Sequence, residues 1–244
     1  MSTVLEAPVA VLPITRRAAV NIADEARIPD WVGDLASFRC WAESDDYPES
    51  GRFSFLNDEI WVDLSMEQLF THNQVKTELI VTLGQLIKRE QLGYLFADGV
   101  RISHHEARLS TEPDGLFVSF AAVKESRVRL VEGKMEGFVE VEGAPDLVLE
   151  VVSRSSVRKD TVVLRDLYWR AGISEYWLFD ARDNEPRFDI LRHTPQGYVE
   201  TSRHEDWVAS LVLQSEFRLD RETDSLGHPQ WTLEVRRQLA APHS

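Results

Sequence analysis

An acidic side chain inside an apolar run is the most informative chemical feature of this sequence. Glu150 stands within residues 147–152, and the remaining five residues of that run are all leucine or valine. Such a run is typical of a strand covered on both faces, where a carboxylate must pair, bind a metal or shift its pKa upward. Glu150 is therefore either hydrogen-bonded to a neighbouring helix or part of a functional site.

A second carboxylate, Asp114, enters another apolar run, Leu116–Val118. It belongs to a Glu-Pro-Asp-Gly sequence, so a plain turn is the more ordinary interpretation of Asp114 taken alone. Asp146 carries the same ambiguity. It precedes Glu150 by four residues, which would put both carboxylates on one face of a strand.

Several other kinds of site lack their sequence signatures. There is no glycine-rich phosphate loop, no nucleophile elbow and no Cys/His zinc spacing. His104 and His105 are adjacent, which favours a solvated pair over two ligands on one face. Cys40 has no visible base nearby and is interpreted as an inert thiol.

The elements around these residues follow from periodicity and turn signals. Residues 51–64 predict a hairpin that turns at Asn57-Asp58. A helix is predicted from about residue 66 to 90, with Ser65 and Gln68 as a capping box. Strands are expected over residues 94–103 and 115–119, and a further hairpin over residues 187–200.

A strand-helix-strand unit is predicted around Glu150. The strand over residues 147–152 is followed by a helix from about residue 157 to 171, which Gly172 ends. Residues 175–179 form the next strand. Such a unit implies parallel pairing if its two strands share a sheet.

Length and composition indicate a single α/β domain. The chain has 244 residues, one cysteine and a net charge of −14, which disfavours but does not exclude nucleic-acid binding. No run approaches the roughly 20 apolar residues of a membrane span, and the order of charges at the N-terminus is wrong for a secretory signal. We expect a cytoplasmic protein with a disordered arm over residues 1–28, a domain over 29–220 and a peripheral tail over 221–244.

Residues 144–180 resemble the signature of the Uma-type restriction endonucleases, which belong to the PD-(D/E)XK nuclease superfamily. The resemblance extends in family order over about residues 50–220 and includes His72, Pro113-Asp114 and the Gly197-Tyr198 hairpin. The matching positions of the signature are Pro145, Asp146, Glu150, Ser153, Asp160, Tyr168, Gly172, Glu175, Tyr176, Trp177 and Asp180.

The resemblance implies a restriction-endonuclease-like fold, with a mixed sheet of four or five strands flanked by helices. It also implies metal-dependent hydrolysis of DNA, in which Asp114, Glu150 and the backbone carbonyl of Val151 hold Mg²⁺ or Mn²⁺ in an open cleft. His72 would position water or contact phosphate, although a capping or core histidine is an equal alternative.

The sequence departs from the family pattern at the lysine that stabilises the transition state. The two positions where that lysine is expected hold Val152 and Leu164. Lys159 is the nearest candidate replacement, while Arg165 is about 100° out of phase around the helix. Alternatively, the chain has lost its catalytic cation and retains binding alone.

Five basic residues follow Glu150 closely and suggest contact with phosphate, with a solvated helix face as the alternative. These residues are Arg154, Arg158, Lys159, Arg165 and Arg170. Two rival functions remain: a degenerate nuclease-fold protein that binds nucleic acid or a protein partner, and a structural homodimer that pairs through Trp31, Trp41 and Trp207.

Overall fold

The computed structural model describes residues 10–13, 20–22 and 26–237. Its strands are β1 (Ala10–Pro13), β2 (Val20–Ile22), β3 (Ala26–Ile28), β4 (Arg52–Leu56), β5 (Glu59–Asp63), β6 (Gly93–Ala97), β7 (Arg101–His104), β8 (Leu109–Thr111), β9 (Gly115–Ser119), β10 (Val128–Glu132), β11 (Phe138–Gly143), β12 (Leu147–Val151), β13 (Glu175–Asp180), β14 (Arg187–Thr194), β15 (Gly197–Glu200), β16 (Arg203–His204), β17 (Trp207–Ser210), β18 (Ser215–Thr223) and β19 (Pro229–Arg237). Its helices are α1 (Leu35–Ala42), α2 (Gln74–Glu90), α3 (Phe120–Lys124) and α4 (Arg165–Arg170). The segments Leu69–Asn73 and Lys159–Leu164 are π-helical and lead into α2 and α4.

The central sheet has six strands in the order β15-β14-β13-β12-β9-β6. The strands β12 and β13 pair in parallel, whereas the other neighbours pair antiparallel. The predicted strand-helix-strand unit is therefore confirmed, because the helical segment of residues 157–170 connects these two parallel strands. The sheet is mixed, as expected, and larger than the four or five strands predicted.

A second sheet of seven strands, in the order β1-β5-β4-β8-β7-β11-β10, packs against one face of the central sheet. It contains the predicted hairpin, β4 and β5, whose turn residues Asn57 and Asp58 both adopt positive φ. The prediction of one continuous strand over residues 94–103 is wrong. Its first part is β6 of the central sheet, and its second part is β7 of the second sheet.

Three apolar clusters fill the spaces between these layers. The first lies between the two large sheets and receives Leu164, Leu167 and Tyr168 from the helical segment. The second lies on the opposite face of the central sheet, under α2 and the four-stranded sheet β16-β17-β18-β19. The third lies under α1, on the outer face of the second sheet. Both faces of β12 are therefore covered, which agrees with its apolar sequence.

Helix α2 buries the predicted apolar stripe against the central sheet. Its buried apolar members are Val75, Leu79, Leu83, Leu86 and Ile87. The capping interaction differs from the expected one, because the side chain of Gln68 accepts hydrogen bonds from the backbone N–H groups of Phe70 (3.0 Å) and Thr71 (3.1 Å). None of the described helices is long and apolar enough to cross a membrane.

The C-terminal segment differs from the peripheral tail that we expected. Strands β18 and β19 pair over nine residues, across the predicted boundary at residue 220. Trp231 and Leu233 are buried in the second cluster, and the N–H of Leu233 donates to Glu78 on α2 at 2.8 Å. At the N-terminus, residues 1–9, 14–19 and 23–25 of the expected arm lie outside the described residues, while Ala10–Pro13 pairs with β5.

The tryptophans suggested for dimerisation have different surroundings. Trp41 is fully buried in the third cluster, so it cannot form an exposed contact, and that part of the expectation is corrected. Trp31 is 50% exposed. Trp207 is partly covered, since the guanidinium groups of Arg218 and Arg236 lie over its ring at 5.1 and 4.3 Å.

Glu175 fastens the four-stranded sheet to the central sheet. Its carboxylate is buried and accepts hydrogen bonds from the N–H groups of Leu211 (2.6 Å) and Val212 (3.1 Å) and from the hydroxyl of Ser210 (2.7 Å). The indole N–H of Trp177 also donates to it at 3.0 Å. The carboxylate thus satisfies buried donors that no water could easily reach.

We predict that Glu175→Ala lowers the free energy of unfolding by about 3 kcal/mol, because each buried donor left unpaired costs roughly 1–3 kcal/mol. Urea denaturation of both proteins measures this difference. The exposed Glu222→Ala on β18 is the matched control and should change stability by less than about 0.5 kcal/mol. Equal effects of the two substitutions would contradict this role of Glu175.

Candidate active site

The structure brings the two predicted carboxylates to the same place on the central sheet. Asp114 directly precedes β9, and Glu150 lies in the antiparallel neighbour β12, where Leu149 is the partner of Gly115. The Oδ2 atom of Asp114 accepts a hydrogen bond from the N–H of Val151 at 2.7 Å. The strand pairing and this hydrogen bond fix Asp114 next to Glu150.

Glu150 is buried, with 2% of its surface exposed. Its Oε1 atom accepts a hydrogen bond from the hydroxyl of Tyr168 at 2.7 Å, so it faces the helical segment of residues 157–170. Burial raises the pKa of Glu150 well above its usual value, and the charges of Asp160 and Asp114 raise it further, against the opposing charge of Lys159. In the absence of an added cation, this carboxyl group resists ionisation.

Lys159 reaches the carboxylates from the π-helical segment. Its Nζ atom lies 3.4 Å from Oδ1 of Asp160. Burial lowers the pKa of Lys159, but the charges of Asp160, Glu150 and Asp114 outweigh burial and raise it overall. Lys159 is therefore a permanent cation among these acidic groups.

Asp160 is a second fully buried carboxylate on this side. The hydroxyl of Ser156 donates to its Oδ2 atom, whereas its Oδ1 atom has no hydrogen-bond partner among the described residues. Burial raises the pKa of Asp160 to about 6, although Lys159 and Ser156 oppose the shift.

The positions of the missing family lysine are closed to any such role. Val152 and Leu164 are both fully buried, and Leu164 belongs to the first apolar cluster. Arg165 points elsewhere, since its guanidinium donates to the carbonyl of Tyr198 at 3.2 Å. Of the two replacement cations weighed from the sequence, Lys159 is the one whose charge interacts with Glu150 and Asp114.

His72 lies on the other side of Asp114. Its Nε2 atom is 3.7 Å from Oδ2 of Asp114, and its Nδ1 atom is 3.7 Å from Oε2 of Glu67. The ring is buried, and Nδ1 makes no hydrogen bond within the described part of the chain. Burial lowers the pKa of His72 despite these acidic neighbours, so the imidazole is neutral at neutral pH.

Sequence analysis missed Lys76, which is the cation closest to Asp114. Its Nζ atom lies 3.5 Å from Oδ1 of Asp114, 2.7 Å from Asp98 and 2.5 Å from Glu67. Arg52 also pairs with Glu67 and lies 3.5 Å from Asp98. One sequence signal could have found Lys76: it follows His72 by four residues, which places both side chains on one face of the helix.

Gly115 allows α2 to approach the sheet at this point. A Cβ atom at Gly115 would lie 3.0 Å from the side chain of Ile80 and 3.2 Å from that of Leu149. Ile80 is one helical turn after Lys76, so the close approach of the helix also brings Lys76 to Asp114.

The charges of this cluster fit a divalent cation. Five carboxylates and three cations interact here, so the cluster has a net charge of −2 when all five carboxylates are ionised. The carboxylates are Glu67, Asp98, Asp114, Glu150 and Asp160, and the cations are Arg52, Lys76 and Lys159. No group of three or more Asp, Glu, His or Cys side chains is arranged as a metal site within the described residues. Two carboxylates with retained water suffice for Mg²⁺, so Asp114 and Glu150 match its chemistry.

The two carboxylates do not lie in the open cleft that we expected. Asp114 is only 5% exposed and Glu150 only 2%, so that expectation is wrong. Lys76, His72 and Tyr168 cover the carboxylates from the two helices. Val151 contributes its N–H to Asp114, and a metal-ligand role for its carbonyl stays a prediction.

The remaining acidic and histidine candidates have structural surroundings. Asp146 accepts hydrogen bonds from the N–H of Ser119 (2.7 Å) and from Arg127 (2.8 Å), which fixes the end of β9. The Nδ1 atom of His104 accepts the N–H of Ala107 at 3.1 Å within a turn. His105 is exposed beside it.

Comparison with known proteins agrees with this architecture. The family model Uma2, described as "Putative restriction endonuclease", matches residues 37–222. A crystal structure from Anabaena variabilis, described as "a putative nuclease belonging to DUF820", aligns with a TM-score of 0.53 and 14% identity, over 74% of this chain and 90% of that one. A search of curated proteins found no match. The restriction-endonuclease-like fold expected from the sequence is confirmed.

We predict that Lys76→Met lowers the free energy of unfolding at pH 7 by about 3 kcal/mol, because removing one partner leaves buried charge uncompensated. The exposed Lys88→Met on the same helix is the control and should have little effect. If both variants unfold at the same denaturant concentration, Lys76 does not stabilise the folded protein through Glu67, Asp98 and Asp114.

The effect of Lys76→Met should also depend on pH. Burial raises the pKa of Glu67, but hydrogen bonds from Lys76 and Asn73 and the charge of Arg52 outweigh it, and the pKa falls to about 2. Because this folded-state pKa is below the usual 4.5, the stabilisation is complete above pH 4.5 and is lost as the pH falls towards 2. Denaturation curves should show the difference between wild type and Lys76→Met shrinking over that range; a constant difference would contradict the assignment.

Proposed function

Because the chain belongs to the Uma2 family, we propose that it hydrolyses DNA phosphodiester bonds with a divalent cation, Mg²⁺ or Mn²⁺. Family membership supports a nuclease, and the metal and the DNA substrate are our proposal. The observation that carries it is the placement of Asp114 and Glu150 on adjacent strands, among cations supplied by two helices.

Asp114 and Glu150 would hold the metal, and the carbonyl of Val151 and water would complete its shell. When bound, the cation would lower the pKa of a coordinated water and stabilise charge on the phosphate. The hydrogen bond from the N–H of Val151 keeps Asp114 oriented, and the hydroxyl of Tyr168 keeps Glu150 oriented. Both carboxylates are thus restrained before any ligand arrives.

Lys159 is our candidate for the electrostatic stabiliser. Its acidic neighbours keep it charged, and it lies on the segment that covers Glu150. A fixed cation beside the phosphate would stabilise the negative charge that grows in the transition state. The neutral imidazole of His72 can accept one hydrogen bond from a water near Asp114 or donate one to it.

The alternative is a degenerate nuclease-fold protein that binds nucleic acid or a protein partner without cleaving it. Three observations favour this alternative. Val152 and Leu164 occupy the usual lysine positions, and both carboxylates are covered. The net charge of −14 also opposes tight binding to duplex DNA.

We predict that calorimetric titration with Mn²⁺ detects binding by the wild type, and that Asp114→Asn or Glu150→Gln abolishes it. Both substitutions preserve side-chain shape, and they remove the charge that the cation needs. Glu106→Gln, an exposed glutamate, is the matched control and should bind Mn²⁺ normally. Wild-type protein that binds no Mn²⁺ at millimolar concentration would favour the degenerate alternative.

Lys159→Met should separate catalysis from metal binding. We expect it to slow the nicking of supercoiled plasmid by about 100-fold while Mn²⁺ binding persists, because the lost cation acts mainly on the transition state. Gel assays with Mg²⁺ or Mn²⁺ measure the rate. A variant that nicks plasmid as fast as the wild type would exclude Lys159 as the stabiliser.

A further inference from the structure

A groove runs beside the candidate active site, along the helical segment of residues 157–170. Its larger part is a cavity of about 380 Å³ between this segment and the β14–β15 hairpin. Thr161 and Arg165 also line a smaller cavity of about 120 Å³ over the central sheet, where Asp180, Asp189 and Glu200 are each paired with an arginine. The larger volume is in the range of small-ligand sites, roughly 300–1,000 Å³.

The groove is built on the same elements as the candidate active site. Thr161 directly follows Asp160 in the chain. The smaller cavity is lined by Leu178 of β13, and Leu178 is the partner of Glu150 in the parallel ladder. The groove and Glu150 therefore share one helical segment and one pair of neighbouring strands.

One wall of the larger cavity is an anchored aromatic surface. Trp169 packs against His193, with ring centroids 6.0 Å apart and an interplanar angle of 20°. Its indole N–H donates to the carbonyl of Thr194 at 2.8 Å. The neighbouring Tyr198 is buried, and its hydroxyl donates to the carbonyl of Ile173 at 2.8 Å. Such fixed aromatic walls suit the flat face of a nucleobase.

The helical wall that carries Trp169 also presents a cation without an acidic partner. Among the described residues, Arg165 forms no salt bridge, and its one hydrogen bond goes to the carbonyl of Tyr198. The other basic residues of this stretch are engaged: Lys159 with Asp160, and Arg170 with Asp166 at 2.5 Å. Arg158 lies over the ring of Trp61 at 5.7 Å. Arg165 therefore retains donors for an anion such as phosphate.

We propose that this groove binds one unpaired nucleotide of the substrate, on the helical segment that also supplies Lys159 and Tyr168. The base would lie against Trp169 within reach of the Gln196 amide, and Arg165 would contact a phosphate. A base inside a duplex cannot enter such a recess without leaving its stack, so the groove selects single-stranded or locally unpaired nucleic acid. This inference rests on the proposed function and names the form of its substrate.

The test is the affinity for a short fluorescein-labelled single-stranded DNA, measured by anisotropy in EDTA, which prevents metal-dependent cleavage. We expect Arg165→Ala to weaken binding about tenfold, and Trp169→Leu to weaken it by at least that factor. Arg192→Ala, an exposed arginine of β14 outside the groove, is the matched control and should bind like the wild type. The same sequence as a blunt duplex should bind more weakly than the single strand.

Trp169→Leu also removes the hydrogen bond to Thr194, so its thermal stability has to be compared with that of the wild type. Arg165→Ala alters an exposed side chain and keeps the test valid if the Trp169 variant misfolds. Wild-type protein that fails to bind single strands, binds duplex equally well, or binds unchanged after Arg165→Ala overturns the proposal. Mn²⁺ binding by Arg165→Ala should be normal, so a failure here is distinct from a failure of the metal site.

Discussion

The burial of Glu150 is the constraint on which the rest of the site depends. A carboxylate in the middle of a strand covered on both faces is costly unless its surroundings compensate it. Tyr168 supplies a hydrogen bond, and Lys159 supplies charge from the same helical segment. Even so, burial keeps the pKa of Glu150 well above its usual value, and the charges of Asp160 and Asp114 raise it further. In the function that we propose, a divalent cation would take the place of the proton that Glu150 otherwise holds.

The two helices that flank this carboxylate have separate tasks. Helix α2, held close to the sheet at Gly115, brings Lys76 to Asp114. The segment of residues 157–170 contacts Glu150 through Tyr168 and lines the groove with Thr161, Arg165 and Trp169. Its opening turns are π-helical, a rare geometry that is common near functional sites. The proposed chemistry and the proposed substrate contact would thus share one helical segment.

The sequence predicted those parts of the fold that local patterns specify. The β12–helix–β13 unit and the hairpin at Asn57-Asp58 follow from periodicity and turn chemistry, and both are present. Glu150 was singled out because a carboxylate inside an apolar run is unusual. The metal-ligand roles of Asp114 and Glu150 came from the family resemblance and stay a prediction. Lys76 was missed because its role depends on contacts across distant segments, and a lysine on a helix is ordinary by itself. The division of residues 93–104 between two sheets also has no local signal, since each half reads equally well as a strand.

The most direct test of the account is a crystal soaked with Mn²⁺ and measured at an x-ray wavelength where manganese scatters anomalously. The account predicts a single strong anomalous peak bounded by the carboxylate oxygens of Asp114 and Glu150, with Lys159 still beside them. A map without density there, or with manganese bound only to surface carboxylates, would contradict the central claim that these buried acids form a cation site.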